Sequence, residues 1–427
     1  MIIKNGHIID PANKRDGVFD ILIKGGRIEK VERVIKAKDE DIVDADGKIV
    51  SPGLIDMHVH LREPGREDNE TVASGTAAAA AGGITSVCAM PNTQPAMDSA
   101  ANIKGLKRII KKDALCNVFI IGAITLDRMG ERLTDMEAMR GEGVTALSDD
   151  GDTIQDEVLM LNAFKSAKKN GLLLISHCED KGISKNGVVN EGIIATKLGL
   201  RGIPREAEYG FVERDIRLAG KAGARLHIAH VSCKESVDII RKAKKKGVAV
   251  TAETAPHYFS LDEDACVTYD TRAKMNPPLR SAEDVKAVKR GLRDGTIDAI
   301  ASDHAPHGKH EKEIEFELAA FGIIGLETSL ALAAAHLAGE EGFSWARLIE
   351  LMSVNPARIL GLGGKGRLSP GMDADITIID PQRAWIYAKD SIKSKSKNSP
   401  FIGRRFKGKA ETAIVGGRTR DGRYRRP

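Results

Sequence analysis

Six residues with the chemistry of metal ligands stand where apolar runs end. They are His58 and His60 in IDMHVHLRE, Asp150 in TALSDDGD, His177 in LLLISHCED, His230 in LHIAHVS and Asp303 in DAIASDHAPH. A run such as LLLIS or DAIAS reads as a buried strand, and the polar residue arrives where that strand stops. Four imidazoles and two carboxylates converging on one spot make a site for one or two divalent metals. A single histidine at a strand end is ordinarily a hydrogen-bonded structural residue. His58 and His60 say more, because alternate residues on a strand share a face, and His177, His230 and Asp303 each close an apolar run of their own. Asp150 has a rival reading, since Asp149 is adjacent and SDDG also reads as a plain turn.

Metal in such a set draws the pKa of a bound water toward neutrality and makes a hydroxide nucleophile. Two metals sharing that hydroxide need a bridging anion, and Asp150 is the candidate. His58 and His60 are placed on the first metal, His177 and His230 on the second. Asp303 is expected to touch the first metal and to exchange a proton with the hydroxide and a leaving nitrogen, as general base and then general acid. Arg62 follows His60 by two residues and is aimed at the same cavity, where a guanidinium suits a substrate carboxylate. Asn92, Asn276 and His307 add hydrogen-bonding groups on that face. His304 and His310 stand beside His307, and the sequence does not rank the three.

Strand-then-helix units repeat between about Gly53 and Leu362. ITSVCAM precedes SAANIKGLKRIIKK, NVFIIGAI precedes LTDMEAMRGEG, and VTALSD precedes IQDEVLMLNAFKSAKKNG. LLLISHC, LHIAHV, VAVTAETAP and DAIASD continue the series. The alternation predicts a parallel sheet covered by helices, and ligands recurring around one site predict a closed (β/α)8 barrel, whose strand ends converge on the active face. No GxGxxG or Walker-type loop is present, which counts against a nucleotide-binding alternative. The first fifty residues read as short antiparallel strands, and similar texture returns in KGRLSPGMDADITIIDP and KAETAIVGGRTRDG. The expected organisation is a small composite β-domain from residues 1–52 and 363–427, with the barrel, residues 53–362, inserted between.

The chain has 427 residues, 29% of them charged, and a formal net charge of only +5. Nothing there calls for a nucleic-acid partner, and the late basic stretches GRRFKGKAE and GRTRDGRYRRP read as solvated surface. Five cysteines without a CxxC pair fit a reduced, cytoplasmic setting. No apolar run reaches the length of a membrane span and no signal peptide is evident.

At these residues the chain resembles the dihydroorotases of the amidohydrolase superfamily, the longer bacterial and archaeal type. The motifs carrying the likeness are DMHVHLREPG, AMPNTQP, SDDG, HCED, HIAHVS, NPPLR, IASDHAPH, AFGIIGLET, MSVNPARILGL and GMDADITIID, spread over nearly the whole chain. The resemblance implies a metal-dependent TIM barrel that reversibly cyclises N-carbamoyl-L-aspartate to L-dihydroorotate in pyrimidine biosynthesis. It implies the ligands His58, His60, Asp150, His177, His230 and Asp303; the His-rich set favours zinc, with Mn²⁺ or Co²⁺ fitting the same ligands, as two ions per chain bridged by Asp150 and a hydroxide. It places substrate contacts at His60, Arg62, Asn92, Asn276 and His307, with backbone contacts near Phe321 and Gly322. A homodimer is expected, as is aspartate carbamoyltransferase as a partner. Many relatives bridge their metals with a carboxylated lysine, on which hydantoinases depend; VTALSDDGD offers none. ETAPHY departs from the family in carrying Tyr258 where a second histidine is common. Two alternatives are an allantoinase-like hydrolase and a catalytically silent scaffold. A carboxylate-reading Arg62 with Asn92 argues against the first, and six intact ligands against the second.

Overall fold

Parallel neighbours cannot be joined by a tight turn, so each strand must be followed by a crossover, usually a helix. The computed structural model, which describes residues 1–36 and 40–419, shows this arrangement; the end of the basic tail, from Arg420 on, lies outside those residues. Eight strands lie side by side in chain order: Leu54–Val59, Ile84–Ala89, Asn117–Gly122, Ala146–Leu147, Leu173–Ser176, Leu226–Ile228, Val250–Thr254 and Ala299–Ile300. Every adjacent pair is parallel. A parallel bridge from Val59 to His304, with His60 N–H donating to the His304 carbonyl at 2.9 Å, joins the last strand to the first and completes the ring.

Alternate strand residues divide between two apolar clusters, as a barrel wall requires. Ile55, Met57, Cys88, Met90, Ile121, Leu173 and Ile175 pack together inside. Leu54, Val87, Ala89, Ile120, Leu174 and Leu226 join the larger cluster beneath the helices. The helices follow from their own sequences. In Lys234–Lys245, Val237, Ile240 and Ala243 recur every third residue and are buried, while Lys242, Lys244 and Lys245 in the last turn complement the helix dipole. Ser281 caps Ala282–Asp294 in a reciprocal capping box with Asp284.

A second eight-stranded sheet draws on both ends of the chain. Its path runs from Arg418–Thr419 through Arg405–Val415, Ile376–Ile386, Ile49–Pro52, Ile2–Asp10 and Arg15–Lys24 to Arg27–Glu32. The hairpins at the N-terminus are antiparallel as expected, but Ile42–Asp44 and Ile49–Pro52 pair parallel with Ile2–Asp10. Arg15–Lys24 already occupies one edge of the first strand, so the chain crosses to the other edge and arrives running the same way. Among the described residues no helix is long and apolar enough to cross a membrane.

Candidate active site

Each expected ligand sits at or just beyond the end of a barrel strand. Asp56 explains how the two ends of the series meet: its buried carboxylate accepts the amides of Ser302 at 3.0 Å and His58 at 3.2 Å. That ties the strand before His58 and His60 to the one before Asp303. Asp150 stands at the centre with its two oxygens divided. Its Oδ2 is 3.3 Å from both His58 Nε2 and His60 Nε2. Its Oδ1 is 3.3 Å from His230 Nε2 and 3.6 Å from His177 Nδ1. Asp303 Oδ1 lies 3.2 Å from His60 Nε2 and 3.5 Å from His58 Nε2. Two triads, His58–His60–Asp150 and Asp150–His177–His230, thus share one carboxylate, each with its donor atoms within 4.8 Å of one another.

The donor set fits a metal. His58 Nε2 is buried and faces the carboxylates of Asp150 and Asp303, and His177 Nδ1 and His230 Nε2 face each other at 2.8 Å. Three of the imidazoles have their other nitrogen engaged: His58 Nδ1 with Glu253 at 2.8 Å, His60 Nδ1 with Asn92 Oδ1 at 2.8 Å, and His177 Nε2 with Glu179 at 3.1 Å. Such acceptors select the tautomer that turns a lone pair toward a metal. Burial pushes the Asp150 carboxyl up, but the charge of His58 and hydrogen bonds from His177, His230 and His58 outweigh it and hold the group well below the carboxylate range. For Glu253 burial is likewise outweighed, by His227 and His58, and the carboxyl is held down at about 2.

A cavity of about 310 Å³ opens over this cluster. Its walls include His60, Asp150, His177, His230 and Asp303, and also Arg62, Asn92, Asn276, His307, Phe321 and Gly322. Arg62 is buried; its Nε donates to the Pro306 carbonyl at 3.2 Å and its Nη2 lies 3.3 Å from His307 Nε2. No carboxylate lies within 4 Å of its guanidinium among the described residues. Burial, with the charge of Arg66 added, pulls its pKa down to about 10, so it is a cation at neutral pH. Arg62, His230 and Asp303 all have left-handed backbones, at φ 61°, 34° and 47°. Backbone of that kind in residues with side chains is concentrated at working sites.

Residues 47–236 match the family model described as dihydro-orotase-like. The chain is 54% identical to the dihydroorotase of Elusimicrobium minutum over 97% of its own length and 96% of that protein. It is 51% identical to the dihydroorotase of Geotalea daltonii over 98% of each. The chain belongs to the dihydroorotase family. Among solved structures it resembles the L-hydantoinase (dihydropyrimidinase) of Arthrobacter aurescens, with a TM-score of 0.89, 25% identity, and 98% and 95% of the two chains covered. The dihydropyrimidinase of Brevibacillus agri superposes with a TM-score of 0.87 at 25% identity, covering 98% and 94%.

In this member of the dihydroorotase family the three histidines that the sequence left unranked have separate places. His307 lines the cavity and pairs with Glu311 at 3.2 Å. His304 is spent on Glu70 at 3.2 Å and on the amide of Gly325 at 3.1 Å. His310 lies on the exposed surface. Asn92 and Asn276 reach the cavity while holding His60 and Glu179, respectively. Cys178 turns away, its sulfur near Ser176 and Asp215. The departure at Tyr258 is absorbed by packing: its hydroxyl donates to the Pro277 carbonyl at 2.6 Å.

Glu253, Glu179 and Asn398 were not anticipated from the sequence. A carboxylate inside the apolar run VAVTAET was the available signal for Glu253, and the spacing of two from His177 was the signal for Glu179. Asn398 had none. It arrives on the segment after Ile376–Ile386 and donates to the carbonyls of Ala305 at 3.0 Å and Gly322 at 3.1 Å.

Proposed function

We propose that this protein is a dihydroorotase, interconverting L-dihydroorotate and N-carbamoyl-L-aspartate. The observation that carries the reading is Arg62, a buried guanidinium on the cavity wall with no carboxylate in direct contact among the described residues. Leaving such a charge unpaired is costly, and a ligand carboxylate satisfies it with fork geometry. Dihydroorotate is a cyclic amide that carries one.

His58, His60, Asp150, His177, His230 and Asp303 are the residues that would hold metal, and we take it to be zinc, two ions per chain, with Asp150 the carboxylate common to both triads. Bound metal supplies Lewis-acid polarisation of a carbonyl and acidifies water. The chain's own groups do the rest. Arg62 binds the ring carboxylate, and His307, Asn276 and Asn92 fix the ring by hydrogen bonds. Phe321 and Gly322 close the wall and exclude solvent. In ring opening, Asp303 takes a proton from the water that attacks the amide carbonyl and returns it to the leaving nitrogen. In cyclisation it removes the proton of the attacking ureido nitrogen and delivers it to the hydroxyl of the side-chain carboxyl, which departs as water. Five buried cysteines, none bridged, support a cytoplasmic setting.

The test is turnover of dihydroorotate beside dihydrouracil, the same ring without its carboxylate. The reading expects dihydroorotate to be favoured by about a hundredfold or more in kcat/KM, as loss of a buried charge contact requires. Equal turnover of the two, or preference for dihydrouracil, contradicts it. If metal-loaded protein turns over neither, adding aspartate carbamoyltransferase tests that enzyme as the missing partner, with a homodimer as the expected state of this chain.

A further inference from the structure

Two buried lysines stand behind the cavity wall. Lys274 and Lys312 are only 2% and 4% exposed, and no carboxylate lies within 4 Å of either ammonium among the described residues. A buried ammonium without a counter-charge must find oxygen elsewhere. Lys312 Nζ donates to the carbonyls of Ala320 at 2.7 Å, Gly322 at 3.1 Å and Lys274 at 3.3 Å. Lys274 Nζ donates to the carbonyls of Phe316 and Glu317, both at 2.8 Å, and sits 4.6 Å from the centre of the Phe321 ring. The Lys274 carbonyl also accepts the amide of Gly322 at 3.0 Å.

These bonds all converge on one strip. Lys274 stands two residues before Asn276, and Lys312 ends the short helix that follows His307 and Gly308. Four of the five carbonyls they hold belong to residues 316–322, which have no strand or long helix of their own, and the fifth is that of Lys274. Gly322 also has φ 121°, and a Cβ there would meet the Ala305 Cβ at 2.6 Å, so the strip is seated tightly against the His307 segment. Neither lysine bonds to an expected metal ligand.

We propose that Lys274 and Lys312 are positioning residues of the substrate wall: their buried ammonium groups, anchored on main-chain carbonyls, hold Phe321 and Gly322 against Asn276 and His307 and so set substrate affinity, not the chemical step. The inference rests on the functional reading above, in which Phe321 and Gly322 form that wall. An ammonium suits the task because it offers three donors on a thin stem and can satisfy carbonyls from two loops at once. A methionine of similar length would fill the space and bind none of them.

The experiment uses the full-length, metal-loaded protein and the variants Lys312→Met, Lys274→Met and Lys312→Arg. KM and kcat for dihydroorotate, metal content, and amide hydrogen exchange of residues 316–322 are read together. Expected for both methionine variants are a KM raised about tenfold or more, kcat within about threefold, unchanged metal content and faster exchange in the strip. Lys312→Arg, which keeps the charge, should recover part of the KM. Faster exchange with unchanged KM would reduce the lysines to structural residues and overturn the proposal. Loss of metal together with kcat would overturn it as well. If Lys312→Met fails to fold, Lys274→Met carries the same comparison. A wild type inactive on dihydroorotate sinks the functional reading instead; exchange unaltered in the variants would then still overturn the anchoring.

Discussion

The two walls of the cavity solve opposite electrostatic problems. On one, imidazoles surround carboxylates: Asp150 and Asp303 face His58, His60, His177 and His230 across 3.2 to 3.6 Å. On the other, cations are buried with no carboxylate within 4 Å of them among the described residues: Arg62 rests on the Pro306 carbonyl and on His307, and Lys274 and Lys312 on main-chain carbonyls. On the proposed reading the first wall takes a cation from solution and the second the anionic end of the substrate. Their juxtaposition describes a substrate that presents an amide to the metal side and a carboxylate to the other.

Four perturbations separate the walls. Asp303→Asn keeps the shape of the metal wall and removes its base; kcat should fall by about 10²–10⁴-fold with the melting temperature nearly unchanged. Near-normal turnover in that variant would remove Asp303 from the mechanism. Arg62→Met strikes only the anion wall. It should lower kcat/KM for dihydroorotate by about a hundredfold and leave metal content alone, and a parallel loss on dihydrouracil would show that the guanidinium does not read the carboxylate. Glu253→Gln weakens the hold on His58 and should reduce metal affinity by about 10–100-fold, measured by competition with a chromophoric chelator; substrate KM at saturating metal should not move.

The smallest effect concerns pH. Burial, with the charge of Lys274 added, pushes the Lys312 ammonium from 10.5 down to about 7. Below about 7 the folded chain carries the ammonium that anchors the strip; between those values it has released a proton that the unfolded chain keeps, so stability rises with pH across that window. The contribution is complete above the unfolded value and is lost as pH falls through about 7. Urea unfolding at several pH values should show the rise in the wild type and a flatter profile in Lys312→Met. Identical slopes would mean that Lys312 keeps its proton in the folded protein.

The metal wall was legible in the sequence and the anion wall much less so, for a physical reason. His177 and Asp303 each follow an apolar run, and the geometry of a parallel barrel brings such positions together whatever the intervening loops do. This held even where pairing is brief, as in Ala146–Leu147 and Ala299–Ile300. Arg62 was within reach because it follows His60 by two. The supports of the anion wall come from loops. Asn398 arrives after a strand of the terminal sheet and meets Gly322 across 76 residues. Lys274 and Lys312 are charged residues in polar surroundings, and no periodicity marks a lysine as buried. The same limit hid the parallel placement of Ile42–Asp44, since alternation reports the faces of a strand and not its partner.

The most direct test of the account is to strip the protein with a chelator and titrate zinc back while following dihydroorotate hydrolysis and bound metal together. The account predicts an inactive stripped protein whose activity returns as the stoichiometry approaches about two per chain, the number its two triads sharing Asp150 call for. Full turnover by verified metal-free protein, or full activity with the Asp150→Ala variant, would contradict it.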